Sequence, residues 1–351
     1  MASVKTALFG PGNWGRVLSK AAALSDKIEF VACVGRSPER LETFAKDTGI
    51  PARDADAVLA DKSIDAVVLT LPNELHQEFA ARAARAGKHI YIEKPIADTL
   101  PNSLAVAALE KKHGVRIVVG HCARLLSGVQ VMRKAMDDGQ LGTVTQIEAT
   151  YSNDRALRLT PNDWRWYQKN SPGGCLSQIG IHSLDAMRFL GGDIAAVSAS
   201  AARHSPVGAE VEDQWIVTLH FADGKLGVLV SSWTSPGAFN IRVTGQEATM
   251  FYDINQMLWP TAEKIHEGAT LYRQARGKGP TERENLTVPP GHMFKDELEM
   301  FAKAATGGET ELTAMNGAMA VATVYAAIKS AKENSRLVSL DEMITQAKAA
   351  A

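Results

Sequence analysis

The sequence predicts two folds in one chain: an α/β domain built on a parallel sheet, then an α+β domain with a large, mostly antiparallel open sheet. Three observations carry this. Strand-like and helix-like segments alternate through the first 120 residues, and the strands are apolar on both faces, as in a sheet covered by helices on each side. Beyond that point period-two segments follow one another without intervening helices. The chain has 351 residues, 45% of them hydrophobic, more than one core usually holds. The boundary falls near 120–126, giving domains of 1–122 and 123–351.

In the first half, Thr6 to Phe9 is a short apolar strand, and a helix pattern runs from about Arg16 to Leu24. Ile28 to Val34 is a second strand, followed by a helix from Pro38 with Ser37 as its N-cap. Ala66 to Leu71 is a strand broken by Pro72, and His76 to Ala86 is a helix closed by Gly87. His89 to Ile92 leads into Glu93-Lys94-Pro95, Asn102 to His113 is helical, and Val115 to Gly120 is a strand. In the second half, a helix at about 128–138 precedes strands at 144–151, 196–203, 213–221, 226–233 and 240–244, with Asp223-Gly224 as a hairpin turn. Helices return at about 183–190, 292–305 and 313–334, and 268–290 reads as a Gly-, Pro- and charge-rich surface loop.

A net charge of −1 excludes a nucleic-acid binder that works by phosphate neutralisation. No stretch approaches the roughly 20 apolar residues of a membrane span, and the first residues lack a signal-peptide layout, so a cytoplasmic protein is expected. Cys33, Cys122 and Cys175 are widely spaced and form no metal-ligand pattern, so no metal site is expected; buried, reduced thiols are.

Gly10-Pro11-Gly12-Asn13-Trp14-Gly15 is a G-x-G-x-x-G run between a strand and a helix. In that setting the first glycine allows the tight turn, the second lets backbone approach a pyrophosphate, and the third lets helix pack on strand. The helix N-terminus offers N–H groups and partial positive charge to the phosphates. A Rossmann dinucleotide site is therefore expected. At the tip of the second strand, where an acidic residue would bind both ribose hydroxyls of NAD, stand Gly35-Arg36-Ser37, with Arg40 one turn on. A guanidinium and a hydroxyl suit a 2′-phosphate, which favours NADP over NAD; Arg36 could instead stack on the adenine, suiting either.

Lys94 follows a parallel strand at its carboxyl end, the edge where open α/β sheets bind ligands. Its ammonium could stabilise a developing alkoxide, although a lysine after a strand is often a solvated charge. In Gly173 to Asp185, a helix would put Gln178 and His182 on one face, with Asp185 three residues on to orient the imidazole. His182 is suited to general-base work, or is a satisfied histidine of a buried helix.

Together these residues resemble the Gfo/Idh/MocA family of oxidoreductases, which includes glucose-fructose oxidoreductase and inositol dehydrogenases. The resemblance rests on the glycine run, Leu71-Pro72-Asn73 with His76, Ala86-Gly87-Lys88-His89 leading to Glu93-Lys94-Pro95, then Arg124, Trp164-Arg165, Gly173-Gly174, and His182 with Asp185. It implies that Lys94 and His182 are catalytic and that the substrate is sugar-like or polyol-like. It implies a homodimer or homotetramer through the C-terminal sheet, and often a cis Lys94–Pro95 bond. Leu71, Pro72, Asn73, His76, Glu93 and Arg124 become cofactor candidates; Asn153, Trp164, Arg165 and Asp185 become substrate candidates. One departure is Gln178, where the family usually has Asp; an amide can hydrogen-bond a hydroxyl but cannot ionise. Two further readings are an NAD-dependent glycosidase, which tends to lack the lysine, and a non-catalytic nucleotide sensor.

Overall fold

A computed structural model describes residues 3–349. The elements of the first half are β1 (Val4–Phe9), α1 (Asn13–Ala22), β2 (Ile28–Val34), α2 (Pro38–Thr48), α3 (Ala55–Ala60), β3 (Ala66–Leu69), α4 (Asn73–Arg85), β4 (His89–Glu93), α5 (Leu100–His113) and β5 (Ile117–Gly120). Those that follow are α6 (Ser127–Asp137), β6 (Val144–Ser152), α7 (Ile181–Gly191), β7 (Ile194–Ala202), β8 (Gln214–Phe221), β9 (Leu226–Ser232), β10 (Ala238–Gly245), β11 (Ala248–Ile254), β12 (Thr270–Ala275), β13 (Glu284–Asn285), α8 (Met293–Ala305), α9 (Ala314–Lys332), β14 (Val338–Ser339) and α10 (Leu340–Ala349).

The chain divides into two compact units. The first holds 1–122 together with Phe294–Ala318, a segment that sequence order alone assigned to the second. Backbone pairing explains its place: Val119 N donates to Leu312 O at 3.0 Å, and Val118 bridges Thr313. The sheet of this unit is parallel, in the order β2-β1-β3-β4-β5. All four residues of β3 and all four of β5 are buried, as apolar strands between two helical layers should be. The register aligns Phe9 with Val34 and Leu69, Leu69 with Ile92, and Glu93 with Gly120. Gly10, Gly35, Thr70 and Lys94 therefore emerge along one sheet edge.

The second unit holds Ala123–Met293 and Met319–Ala351. Its nine-stranded sheet runs β13-β12-β11-β10-β6-β9-β8-β7-β14. Every pairing is antiparallel except β6 with β9. The hairpin at Asp223-Gly224 joins β8 to β9, with Gly224 at φ 91°. The stretch read as a loop at 268–290 instead contains β12 and β13. Four successive residues of β12, Tyr272 to Ala275, are half-buried, so alternation of hydrophobicity is weak there. β11 was also passed over, though Ala248, Met250, Tyr252 and Ile254 alternate inward with period two. All three cysteines are buried, and none of them forms a disulfide among the described residues. No helix among the described residues is long and apolar enough to cross a membrane, and no metal-ligand cluster occurs among them.

Candidate active site

The glycine run builds a turn that closes on its neighbours. Gly10 has φ 107°, and a Cβ there would lie 2.6 Å from Thr70 O. Thr70 Oγ1 donates to Gly10 O at 2.7 Å and to Phe9 O at 3.1 Å, tying the turn to β3. A Cβ on Gly15 would lie 2.5 Å from Gly10 O, so helix and turn touch backbone to backbone. Gly12 differs: a Cβ there would meet nothing within 4 Å. Gly12 is the N-cap of α1, no side chain caps it, and the first turn holds no acidic residue. The α1 N-terminus is thus an open, partially positive end beside space that one methyl would occupy, which fits a dinucleotide pyrophosphate.

Past β2, Ser37 Oγ accepts from Arg40 N at 3.4 Å and caps α2. Its hydroxyl hydrogen remains able to donate. Arg36 and Arg40 are exposed, and neither forms an ion pair among the described residues. Asn73 opens α4 and is half-buried.

The Lys94–Pro95 bond is cis. Two residues around it have roles other than those expected. His76 is fully buried, its Nδ1 2.9 Å from Pro95 O and its Nε2 3.0 Å from Leu71 O. Both nitrogens face backbone carbonyls, and the one N–H of the neutral ring donates to one of them, so this ring packs the Lys94 turn against the end of β3. Burial holds its pKa below the ordinary histidine value. Glu93 is also turned inward: Tyr91 Oη donates to Glu93 Oε1 at 3.1 Å, and the carboxyl is 7% exposed. The Trp14 indole faces the same carboxyl and packs edge-on against Phe294 with ring centroids 5.2 Å apart. Trp14 is therefore a wall of this buried cluster. Glu297 on α8 is its last member, wholly buried and facing the Tyr91 hydroxyl. Burial raises the pKa of both glutamates, and for Glu297 the Glu93 charge adds to it.

In the second unit, Gly173 and Gly174 have φ 73° and 50°. A Cβ on Gly174 would lie 2.0 Å from Glu212 O, so only glycine fits. The chain then winds through one π-helical turn, Leu176–Gly180, into α7. Such turns widen the helix and are frequent at functional sites. Gln178 and His182 are both buried, four residues apart. His182 stands in an aromatic wall: its ring centroid lies 5.3 Å from that of Trp259 and 6.2 Å from that of Tyr151, which packs on Phe239 at 5.2 Å. Tyr151 and Trp259 were not singled out in the sequence. Tyr151 closes a strand and was legible as such; Trp259 lies in an irregular segment with no periodic signal.

Asp185 and Arg124 also depart from expectation. The Asp185 carboxylate accepts from Arg124 Nε at 2.8 Å and Nη2 at 2.6 Å, and both side chains are buried. Arg124 thus places its Nε and Nη2 in a buried bidentate pair. Asn153 is half-buried, its Oδ1 accepting from Arg155 N at 3.1 Å. Trp164 is 42% exposed, with the Arg165 guanidinium 4.1 Å above its ring. Arg165 Nε donates to Gln178 Oε1 at 3.3 Å.

A parallel sheet with an open glycine turn at its carboxyl edge, and a lysine on the same edge, define a nicotinamide-dinucleotide oxidoreductase. Comparison with known proteins specifies it. The model of the oxidoreductase family with an NAD-binding Rossmann fold matches residues 4–121, and that of the GFO/IDH/MocA C-terminal domain matches 129–251. The chain belongs to the Gfo/Idh/MocA family of oxidoreductases, and its first unit carries the family's NAD-binding Rossmann fold. Inositol 2-dehydrogenase of Rhizobium meliloti (strain 1021) is 29% identical over 351 residues, covering 95% of this chain and 99% of that one. The 1,5-anhydro-D-fructose reductase of Ensifer adhaerens is 27% identical, covering 86% and 89%. A crystal structure from Desulfitobacterium hafniense DCB-2, provisionally described as an NADPH-dependent oxidoreductase, is 32% identical with a TM-score of 0.93, covering 98% of this chain and 99% of that one.

Proposed function

We propose that this protein is an NADP-preferring dehydrogenase that oxidises, or in reverse forms, a hydroxyl of a sugar-like or polyol-like substrate. The observation that carries this reading is the sheet edge on which the open turn at Gly12, the acid-free strand tip at Arg36 and the Lys94 turn are in register. Relatives named for inositol and anhydrofructose support the substrate class.

The bound dinucleotide supplies the hydride acceptor or donor. Gly12, Asn13 and the α1 N-terminus take the pyrophosphate. Arg36, Ser37 and Arg40 take the 2′-phosphate. Leu71, Pro72 and Asn73 line the way to the nicotinamide end. Lys94 donates a hydrogen bond to the reacting oxygen and stabilises its alkoxide character. In the oxidising direction His182 accepts the hydroxyl proton. Gln178 hydrogen-bonds a substrate hydroxyl without ionising. Asn153, Trp164 and Arg165 shape the pocket. The outer face of the large sheet exposes Ile216, Leu226 and Val230, with Ile216 and Val230 directly paired, which supports a homodimer or homotetramer built on that face. Three buried cysteines in thiol form support a reducing, cytoplasmic setting.

The test is absorbance at 340 nm with NAD+ or NADP+ against sugars, inositols, sugar acids and anhydrosugars. The wild type reduces cofactor with at least one class, and Lys94→Ala lowers turnover on the order of 100-fold or more while cofactor binding persists. Full turnover in that variant overturns the assignment.

A further inference from the structure

The surroundings of Gln178 hold more positive charge than the protein neutralises. Arg165 is half-buried beside it, and its one hydrogen bond goes to the neutral amide oxygen of Gln178. Among the described residues neither Arg165 Nη makes a hydrogen bond, and neither Arg165 nor Arg155, whose charge it faces, forms an ion pair. The carboxylate that faces Arg165 is Asp163, and its Oδ2 already accepts from Thr160 N and Thr160 Oγ1, both at 2.9 Å. Burial and Arg155 together pull the guanidinium down to about 10. The group lies over the Trp164 ring, 4.1 Å from its centroid.

We infer that Arg165 is the anion-recognising residue of the substrate pocket, and that the preferred substrate is a sugar acid whose carboxylate docks on its two Nη groups. This rests on the function proposed above. An arginine kept for structure normally spends its fork on carboxylates or backbone carbonyls, because a partly desolvated charge without a partner is costly. Here the guanidinium sits over an indole, with its Nε on an amide and its two Nη groups free of any hydrogen bond among the described residues. Two such groups match a carboxylate bidentately, which a neutral hydroxyl cannot do. Gln178, which touches Arg165, lies four residues before His182 in the widened turn that leads into α7. A carboxylate at Arg165 would thus anchor one end of a short polyhydroxy chain about one helical turn from the imidazole. The neutral side chain at 178 matters for the same reason: a carboxylate there would pair with Arg165 and compete with the substrate.

The test uses matched pairs differing only in the carboxylate, D-glucuronate against D-glucose and D-gluconate against D-glucitol. Binding to the full-length protein is measured by calorimetry, with turnover at 340 nm as a second arm. The wild type binds the acid of a pair at least about 10-fold more tightly, weakening as salt rises. Arg165→Gln brings that ratio near one, a loss of roughly 10- to 100-fold for the acid, and Arg165→Lys keeps part of it. Acids and neutral partners bound alike by the wild type, or failing alike to bind, overturn the inference. So does an Arg165→Gln variant that weakens both alike. Should no substrate reduce cofactor, the dehydrogenase reading fails, while acid-selective binding lost in Arg165→Gln still upholds the anion site.

Discussion

Asp185, one turn after His182 on α7, accepts from Nε and Nη2 along one edge of the Arg124 guanidinium, and the two side chains are 1% and 3% exposed. Arg124 also packs over the Phe189 ring at 5.3 Å, and its carbonyl accepts from Gln130 Nε2 at 2.7 Å. The carboxylate three residues after the imidazole thus also ties its helix to the segment that carries Arg124.

Removing one partner should therefore be far worse than removing both. Asp185→Asn leaves a buried guanidinium without its counter-charge and should destabilise the protein by about 3–5 kcal/mol. An Arg124→Met/Asp185→Leu double variant should recover much of that loss, since the desolvation of both charges disappears with them. Urea unfolding of the two singles and the double reads the coupling directly. Single variants within about 1 kcal/mol of wild type would refute a structural role for the pair.

A second expectation concerns pH. Glu93 and Glu297 face each other's charge in a dry cluster with Tyr91, Trp14 and the Phe301 ring, and the other charged groups facing them are Lys94 and Asp296. Both carboxyl pKa values are raised in the folded state by burial first, so folding takes up protons that the unfolded chain has already released. With more protons on the folded state, stability falls as pH rises from the ordinary carboxyl range through neutrality. The wild type should lose on the order of 1–3 kcal/mol between pH 5 and pH 8 from this cluster. Glu297→Gln keeps the shape and removes the ionisable partner, so its melting temperature should fall less over that interval. Parallel curves for the two proteins would show that the cluster does not titrate.

How far the sequence reached follows from what is local. The Gly10–Gly15 turn, the β-α alternation and the Lys94 turn are short-range patterns, and the structure has them at those places. The roles of His76, Glu93, Arg124 and Asp185 depend on partners 5 to over 200 positions away, from Leu71 beside His76 to Glu297 facing Glu93. Residue type announces that such groups matter but not whether they face a ligand or the interior. Gly120 illustrates this. It reads as the end of a strand, yet a Cβ there would lie 2.4 Å from Tyr91 Oη and 3.0 Å from Glu93 Oε1, so it makes room for the buried cluster. The placement of 294–318 in the first unit was likewise hidden, because its bond to β5 joins Leu312 to Val119 across most of the chain.

The glycine turn itself offers a clean separation of folding from binding. Gly12→Ala meets no atom within 4 Å and has φ −88°, which alanine adopts freely. Its unfolding midpoint should match the wild type within about 0.5 kcal/mol. Its dissociation constant for NADPH, read by fluorescence titration, should nonetheless rise roughly ten-fold or more, because the methyl occupies the space left for the pyrophosphate. Gly10→Ala, by contrast, collides with Thr70 O and forces a left-handed φ, so it should lose stability as well. A Gly12→Ala protein that binds cofactor normally would remove the turn from the binding site.

Arg36 decides between two readings of the strand tip. If its guanidinium takes the 2′-phosphate, Arg36→Ala should lower kcat/KM with NADP+ by roughly 10- to 100-fold, the scale of a lost charge-assisted pair, and leave the value with NAD+ little changed. If the side chain stacks on adenine, both cofactors should suffer alike and only by a few fold. Arg40 lies on the first turn of α2, where its backbone N–H already serves the Ser37 cap, so Arg40→Ala tests the charge without disturbing the cap. Adding Arg40→Ala to Arg36→Ala should deepen the NADP+ defect and flatten its dependence on salt, since exposed charges act through a screened field. A preference for NADP+ that survives the double change would place the discriminating contact elsewhere on the sheet edge.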